Sequence, residues 1–204
     1  MPSEIRASIG ANEIERRSLI VEVRLAAPDS RLLAGHAAVY NERADICGLF
    51  TETIAPGAFA AVLRSTPDVV ALWDHQPSAL LGRTAAGTLR LREDGAGLAF
   101  ELDVPNTTLG NDVLEHVRVG NVRGMSFAFR VGEERWDHAT NLRTVLSVAG
   151  LYDVSPVVHP AYGGTDIALR SRSESLAAWQ QQERAARLRN RLRLYLARRE
   201  EEQP

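Results

Sequence analysis

A serine hydroxyl becomes a usable nucleophile when a neutral imidazole accepts its proton. That imidazole works best when a third group fixes its tautomer and stabilises the imidazolium. The chain offers His75, Ser126 and Asp153 for these roles, in that order along the sequence. Ser126 stands in Val122-Arg123-Gly124-Met125-Ser126-Phe127-Ala128-Phe129-Arg130-Val131, which reads as a strand. Alternation puts Met125, Phe127, Phe129 and Val131 on one apolar face and Gly124, Ser126 and Ala128 on the other. A serine among small residues leaves room for a neighbouring strand or for a substrate, and the pattern does not choose between them. His75 ends the expected strand 69–75, which Gln76-Pro77-Ser78 breaks, so its side chain can reach an open site. Asp153 lies in Leu151-Tyr152-Asp153-Val154-Ser155-Pro156. Spacing alone leaves the structural reading open for all three, a hydroxyl bonded to backbone in the case of Ser126.

Other reactive groups are few. Every basic residue is arginine, which removes a lysine nucleophile or Schiff base. Cys47 is the only cysteine, in an irregular stretch beside Gly48. It can form neither an internal disulfide nor a thiolate cluster for zinc, and it suits a reducing compartment. The five histidines show no metal-ligand spacing, and no glycine-rich phosphate loop is present, so neither metal nor cofactor is expected. His36 is read as a structural strand residue, His116 and His138 as surface residues. With 24 basic against 26 acidic residues, the overall charge calls for neither nucleic acid nor an anionic membrane. No apolar run approaches a membrane helix, and the N-terminal residues lack a signal-peptide layout.

The elements that must position the trio follow from pattern. Residues 1–17 are polar and read as a flexible arm. Residues 19–25 and 32–40 suit a hairpin, and 56–63 a short helix after Pro56. Strands at 88–92 and 98–104 flank an Asp94-Gly95 turn. Residues 106–119 form a helix that Thr107 or Thr108 can cap, with Leu109, Val113 and Val117 on one side. After the Ser126 strand come a polar strand or turn at 132–141 and a run from Arg143 to Val158 broken at Gly150. Hairpin-like order favours a mainly β fold, a largely antiparallel sheet or barrel with surrounding helices. From Ser171 a capping box opens an amphipathic helix with eight arginines between 172 and 199, suited to docking, self-association or a partner contact. The expected organisation is therefore an arm over 1–17, a domain over 18–170 and a helical region over 171–204.

Several separated motifs carry a resemblance. Trp73-Asp74-His75, Leu81-Gly82-Arg83-Thr84, Gly124-Met125-Ser126-Phe127-Ala128-Phe129 and Asp153-Val154-Ser155-Pro156-Val157 running into Pro160-Ala161-Tyr162 look like the prohead (capsid maturation) serine proteases of tailed bacteriophages. Gly35-His36-Ala37-Ala38-Val39-Tyr40-Asn41 and Ile54-Ala55-Pro56-Gly57-Ala58-Phe59 also match. Together they span about residues 20 to 170, in order.

This resemblance implies an antiparallel barrel with helices around it, related to the herpesvirus assemblin protease. It implies His75 as general base and Ser126 as nucleophile. The family's third position, an acidic residue before Val-Ser and often glutamate, is Asp153 here. The herpesvirus relatives use a second histidine, which makes His159 a rival; Asp74 would point to the opposite strand face from His75. The implied substrates are major capsid protein and scaffold segments, and the chain itself, inside the assembling prohead in a bacterial host cytoplasm. A rival from another class is a catalytically inactive capsid-assembly or scaffolding protein on the same fold. An unrelated serine hydrolase fits less well, because Phe127 and Ala128 follow Ser126 where a Gly-x-Ser-x-Gly elbow needs glycine.

Overall fold

A computed structural model describes residues 4–7, 14–20, 23–27, 29–46 and 48–158, together with isolated helical positions between 180 and 189. Cys47, His159 and nearly all of the expected C-terminal helix over 171–204 lie outside the described residues. In chain order the elements are β1 (Glu4–Ala7), β2 (Glu15–Ile20), β3 (Arg24–Leu25), β4 (Leu32–Val39), β5 (Ala44–Ile46), β6 (Phe50–Ile54), α1 (Ala60–Arg64), β7 (Val70–Leu72), β8 (Leu80–Arg83), β9 (Leu89–Glu93), β10 (Gly97–Asp103), α2 (Thr108–Arg118), β11 (Gly124–Asp137) and β12 (Leu142–Val157).

The fold is mainly β, and hydrogen bonding divides it into two sheets rather than one continuous antiparallel barrel. The larger sheet is built on the long β11–β12 hairpin, with β1 and β2 on the free edge of β11 and β6 and β7 on β12. It is mixed, because β6 and β7 both run parallel to β12. The smaller sheet has the order β3-β4-β10-β9. Among the described residues no helix is long and apolar enough to cross a membrane.

One apolar core joins the sheets. Phe127, Phe129 and Val154 of the large sheet pack with Leu33, Phe100 and Leu102 of the small one, with Phe59 and with Val113 and Val117 of α2. Phe59 meets the edge of Phe127 at 5.8 Å between ring centroids, and Phe127 lies 4.9 Å from Phe129. Each such ring contributes roughly 1.5–3 kcal/mol through burial, and a one-residue slip of β11 would send both to the other face. The phenylalanines therefore fix the direction in which Ser126 points.

Several expected elements end elsewhere for local reasons. Part of the arm expected over 1–17 is laid along β11 as strand, residues 4–7 opposite 133–136 and residues 15–20 opposite 124–129. Buried bonds from Arg17 to Glu52 of β6 and from Arg143 of β12 to Glu15 hold residues 15–17 there. The hairpin expected from 19–25 and 32–40 shrinks to Arg24–Leu25 against β4, because the preceding residues pair with β11. The helix expected from Pro56 begins only at Ala60, since Gly57 has φ +85°, outside helical space. In its place the Pro-Gly-Ala-Phe turn clasps β12 through a Val148 N–H donated to the Ala58 carbonyl at 2.8 Å. Gly150 does not interrupt β12; the pairing with β11 shifts register around it. The capping threonine is Thr107, which accepts the Gly110 N–H at 3.0 Å.

Candidate active site

Strand pairing brings Ser126 and Asp153 onto one face. On β11, Phe127 and Phe129 fill the core, so Ser126 and Ala128 look the other way. Antiparallel register sets Ser155 of β12 opposite Ser126 and Asp153 opposite Ala128, with Ser18 of β2 on the far side of Ser126. Directly opposed residues share a face, so the Ser126 hydroxyl and the Asp153 carboxylate are diagonal neighbours.

The imidazole arrives from β7. This strand pairs with β12 at Val70↔Asp153 and ends at Leu72, three residues earlier than the sequence pattern suggests. Asp74 and His75 are both left-handed, with φ of 50° and 58°. Two consecutive non-glycine residues in that region cost energy and need surrounding structure to hold them. Here the Trp73 N–H donates to Ala79 O at 2.9 Å, the Asp74 N–H to Pro156 O at 3.0 Å and the Gln76 N–H to Trp73 O at 3.0 Å. The opposite-face argument for Asp74 thus lapses, since neither residue is in a strand. Behind the turn, Gly82 of β8 sits where an added Cβ would lie 2.5 Å from Leu102 Cδ1. Thr84 accepts the Val69 N–H at 2.8 Å and donates to Pro67 O at 2.7 Å. The Leu81-Gly82-Arg83-Thr84 motif therefore braces the hairpin that presents His75.

The resulting distances are short. His75 Nε2 lies 2.6 Å from Ser126 Oγ, and His75 Nδ1 lies 2.8 Å from Asp153 Oδ1. The second contact is close enough for an ion pair, yet the Nδ1–H does not aim along it and makes no directional hydrogen bond. Asp153 Oδ1 instead accepts the Ser155 hydroxyl at 2.9 Å, and Ser155 Oγ in turn accepts the Leu72 N–H at 3.1 Å. Ser126 and Ser155 are fully buried, while the His75 side chain is 18% exposed, its opening to solvent. Chemically, the tautomer with a proton on Nδ1 suits the carboxylate and leaves Nε2 to accept the Ser126 proton.

Among the described residues, the other histidines stand apart from this group. His36 Nε2 faces Asp94 at 3.0 Å, in the turn between β9 and β10. His116 is exposed on α2 and stacks on Trp73 with ring centroids 6.1 Å apart. His138 is half-buried and stacks on Trp136 at 6.0 Å. Among the described residues, no cluster of three or more His, Cys, Asp or Glu side chains could hold a metal ion.

Two features escaped the sequence reading. Ser155 is one, although the period of two in Asp153-Val154-Ser155 puts it on the same face as Asp153. The other is a buried ion cluster on the phenylalanine side of the large sheet. Arg17 bonds Glu52 through Nε at 2.6 Å and Glu15 at 2.6 Å. Arg143, with no exposed surface, reaches Glu15 at 2.8 Å, Glu52 at 2.9 Å and Glu134 through Nε at 2.7 Å. Burial alone would raise the Glu15 carboxyl; bonding and charge from Arg143, joined by Arg17, overcome it and hold the group at about 2. Charged residues at core-facing positions of alternating strands were the available signal.

Comparison with known proteins places this geometry in context. No curated protein matches the chain at a significant level. Among solved structures, the bacteriophage T4 capsid assembly protease, gp21, aligns with a TM-score of 0.46 at 10% identity, over 71% of this chain and 97% of that one. The model of the Caudovirus prohead serine protease family matches residues 19–181. That match takes in well over half of the 204 residues, and the chain belongs to that family.

Proposed function

We propose that this protein is a serine endopeptidase that processes capsid-protein and scaffold segments, and itself, within an assembling phage head. Ser126 is the nucleophile, His75 the general base and Asp153 the group that stabilises the imidazolium. The observation that carries the reading is the 2.6 Å contact of His75 Nε2 with Ser126 Oγ, backed by a carboxylate 2.8 Å from the other ring nitrogen. Family membership supplies the substrate class.

In the proposed reaction Ser126 Oγ attacks the scissile carbonyl while its proton passes to Nε2. The tetrahedral intermediate collapses as His75 returns that proton to the leaving amine. Water, deprotonated by His75, then hydrolyses the acyl-enzyme. The C-terminal region over 171–204, with its amphipathic, arginine-rich pattern, is suited to self-association or to removal by the same activity.

The test is co-expression with the capsid protein encoded beside this chain, read by intact mass of both proteins. Wild type is expected to shorten the capsid protein, and Ser126→Ala and His75→Ala to leave it whole. Incorporation of wild type into shells with no shortening of either protein would replace this reading by the scaffolding one.

A further inference from the structure

We propose that Ser155 is a positioning residue that aims the Asp153 carboxylate at His75; this rests on the catalytic reading of His75, Ser126 and Asp153 given above. A serine hydroxyl has one proton to donate. Ser155 Oγ accepts the Leu72 N–H at 3.1 Å, and that contact turns its own proton toward Asp153 Oδ1, 2.9 Å away. Among the described residues this is the one directional hydrogen bond recorded on the Asp153 carboxylate, since the Nδ1 contact at 2.8 Å is off line. Ser155 therefore supplies the directional bond that sets the carboxylate where the imidazole meets it.

The donor to Ser155 matters as much as the acceptor. Leu72 is the last residue of β7, three before His75. One hydroxyl thus ties the carboxylate to the strand that delivers the base, and Asp74 N–H to Pro156 O adds a second tie at 3.0 Å on the next residue of β12. Ser155 is fully buried and faces Ser126 across the β11–β12 pair, so water does not compete for its bonds.

The full-length protein can be tested without knowing its cleavage site, using an alkyl fluorophosphonate. Ser126 Oγ forms a bond to phosphorus, the P–F bond breaks, fluoride leaves and the serine proton passes to His75. Labelling is followed by intact mass over a range of probe concentrations. Ser155→Ala is expected to lower the maximal labelling rate about tenfold, the loss of one hydrogen bond to a charged group, with the half-saturating probe concentration unchanged. Asp153→Ala should lower it by more, and adding Ser155→Ala to Asp153→Ala should cost clearly less than it does in wild type, since only the tie to Leu72 is then lost. An equal loss in both backgrounds, or none in either, overturns the proposal. If Ser155→Ala fails to fold, Ser155→Cys, with its weaker S–H donor, is read in the same cycle against the same criteria. Wild type that does not label, or Ser126→Ala that labels as fast, would instead overturn the catalytic reading on which the proposal stands.

Discussion

The β11–β12 hairpin buries charge on both of its faces, and the two faces treat it in opposite ways. On the phenylalanine side, Arg17 and Arg143 are shared among Glu15, Glu52 and Glu134, and each guanidinium meets at least two carboxylates. Such saturation offsets the penalty of removing five ionised groups from water, which for an unpaired ion would be several kcal/mol. On the serine side, Asp153 has one directional bond and one off-line contact, and His75 keeps an opening to solvent. A saturated network takes up a proton only in strong acid and resists change. An under-coordinated one can gain bonding when its imidazole becomes charged. The same sheet therefore separates a region built to hold from the region proposed above to react, with alternate residues of the same strands serving each.

The sharpest way to break this comparison is to strike each face once. Ser126→Ala is expected to lower turnover by about 10⁴–10⁶-fold, with the thermal midpoint within a few degrees of wild type, measured by mass-resolved cleavage and by calorimetry. Arg143→Ala should do the reverse. It leaves Glu15, Glu52 and Glu134 without their shared partner and is expected to cost about 3–5 kcal/mol of stability by denaturant titration, while Ser126 in the remaining folded fraction keeps its labelling rate. Loss of activity without loss of stability in Arg143→Ala would show that the two faces are coupled.

How much of this was legible in the sequence depends on the range of the interaction. Alternation along 122–131 is local, so the apolar row and the small-residue face containing Ser126 could be read directly. The motifs around His75 and Asp153 gave the remaining candidates, and the structure brings all three together. What was not legible needed register between distant strands. Nothing local to Glu15 and Arg17 says that they lie beside Phe129 and Phe127, so a polar stretch read as a flexible arm. The left-handed pair Asp74–His75 was missed for a related reason: it is held by long-range bonds such as that to Pro156, against the local preference of both residues. The parallel seats of β6 and β7 on β12 likewise follow from connections that pattern does not encode.

Acid should separate the faces by stability. The Glu15 carboxyl has an ordinary value of 4.5 in the unfolded chain and about 2 in the fold, so the folded state binds its proton less readily. Its contribution is present in full above about pH 4.5 and is lost as pH falls toward 2. The unfolding free energy from denaturant titration is expected to drop across that window by an amount on the order of 3 kcal/mol. Glu15→Gln should flatten the drop while lowering stability at neutral pH. A drop that is just as steep in Glu15→Gln would place the acid sensitivity outside the buried cluster.

The smallest effect is expected where a histidine–carboxylate pair belongs to neither face. His36 and Asp94 approach within 3.0 Å, but their side chains are 33% and 25% exposed. The Asp94 carboxyl is held at about 2 first by the Ala96 N–H, against the opposing effect of burial, and then by His36 and the Gly97 N–H. The turn between β9 and β10 therefore keeps its main bonds without the imidazole. His36→Ala is expected to change stability by no more than about 1 kcal/mol and to leave the labelling rate of Ser126 unaltered. The kind of contact proposed to serve catalysis between His75 and Asp153 is then nearly silent at His36, because solvent screens it. A large loss of activity in His36→Ala would mean that the second histidine of the motif set reaches the site through the β4–β10 pairing, and the division of charge between two faces of one hairpin would have to be redrawn to include the smaller sheet.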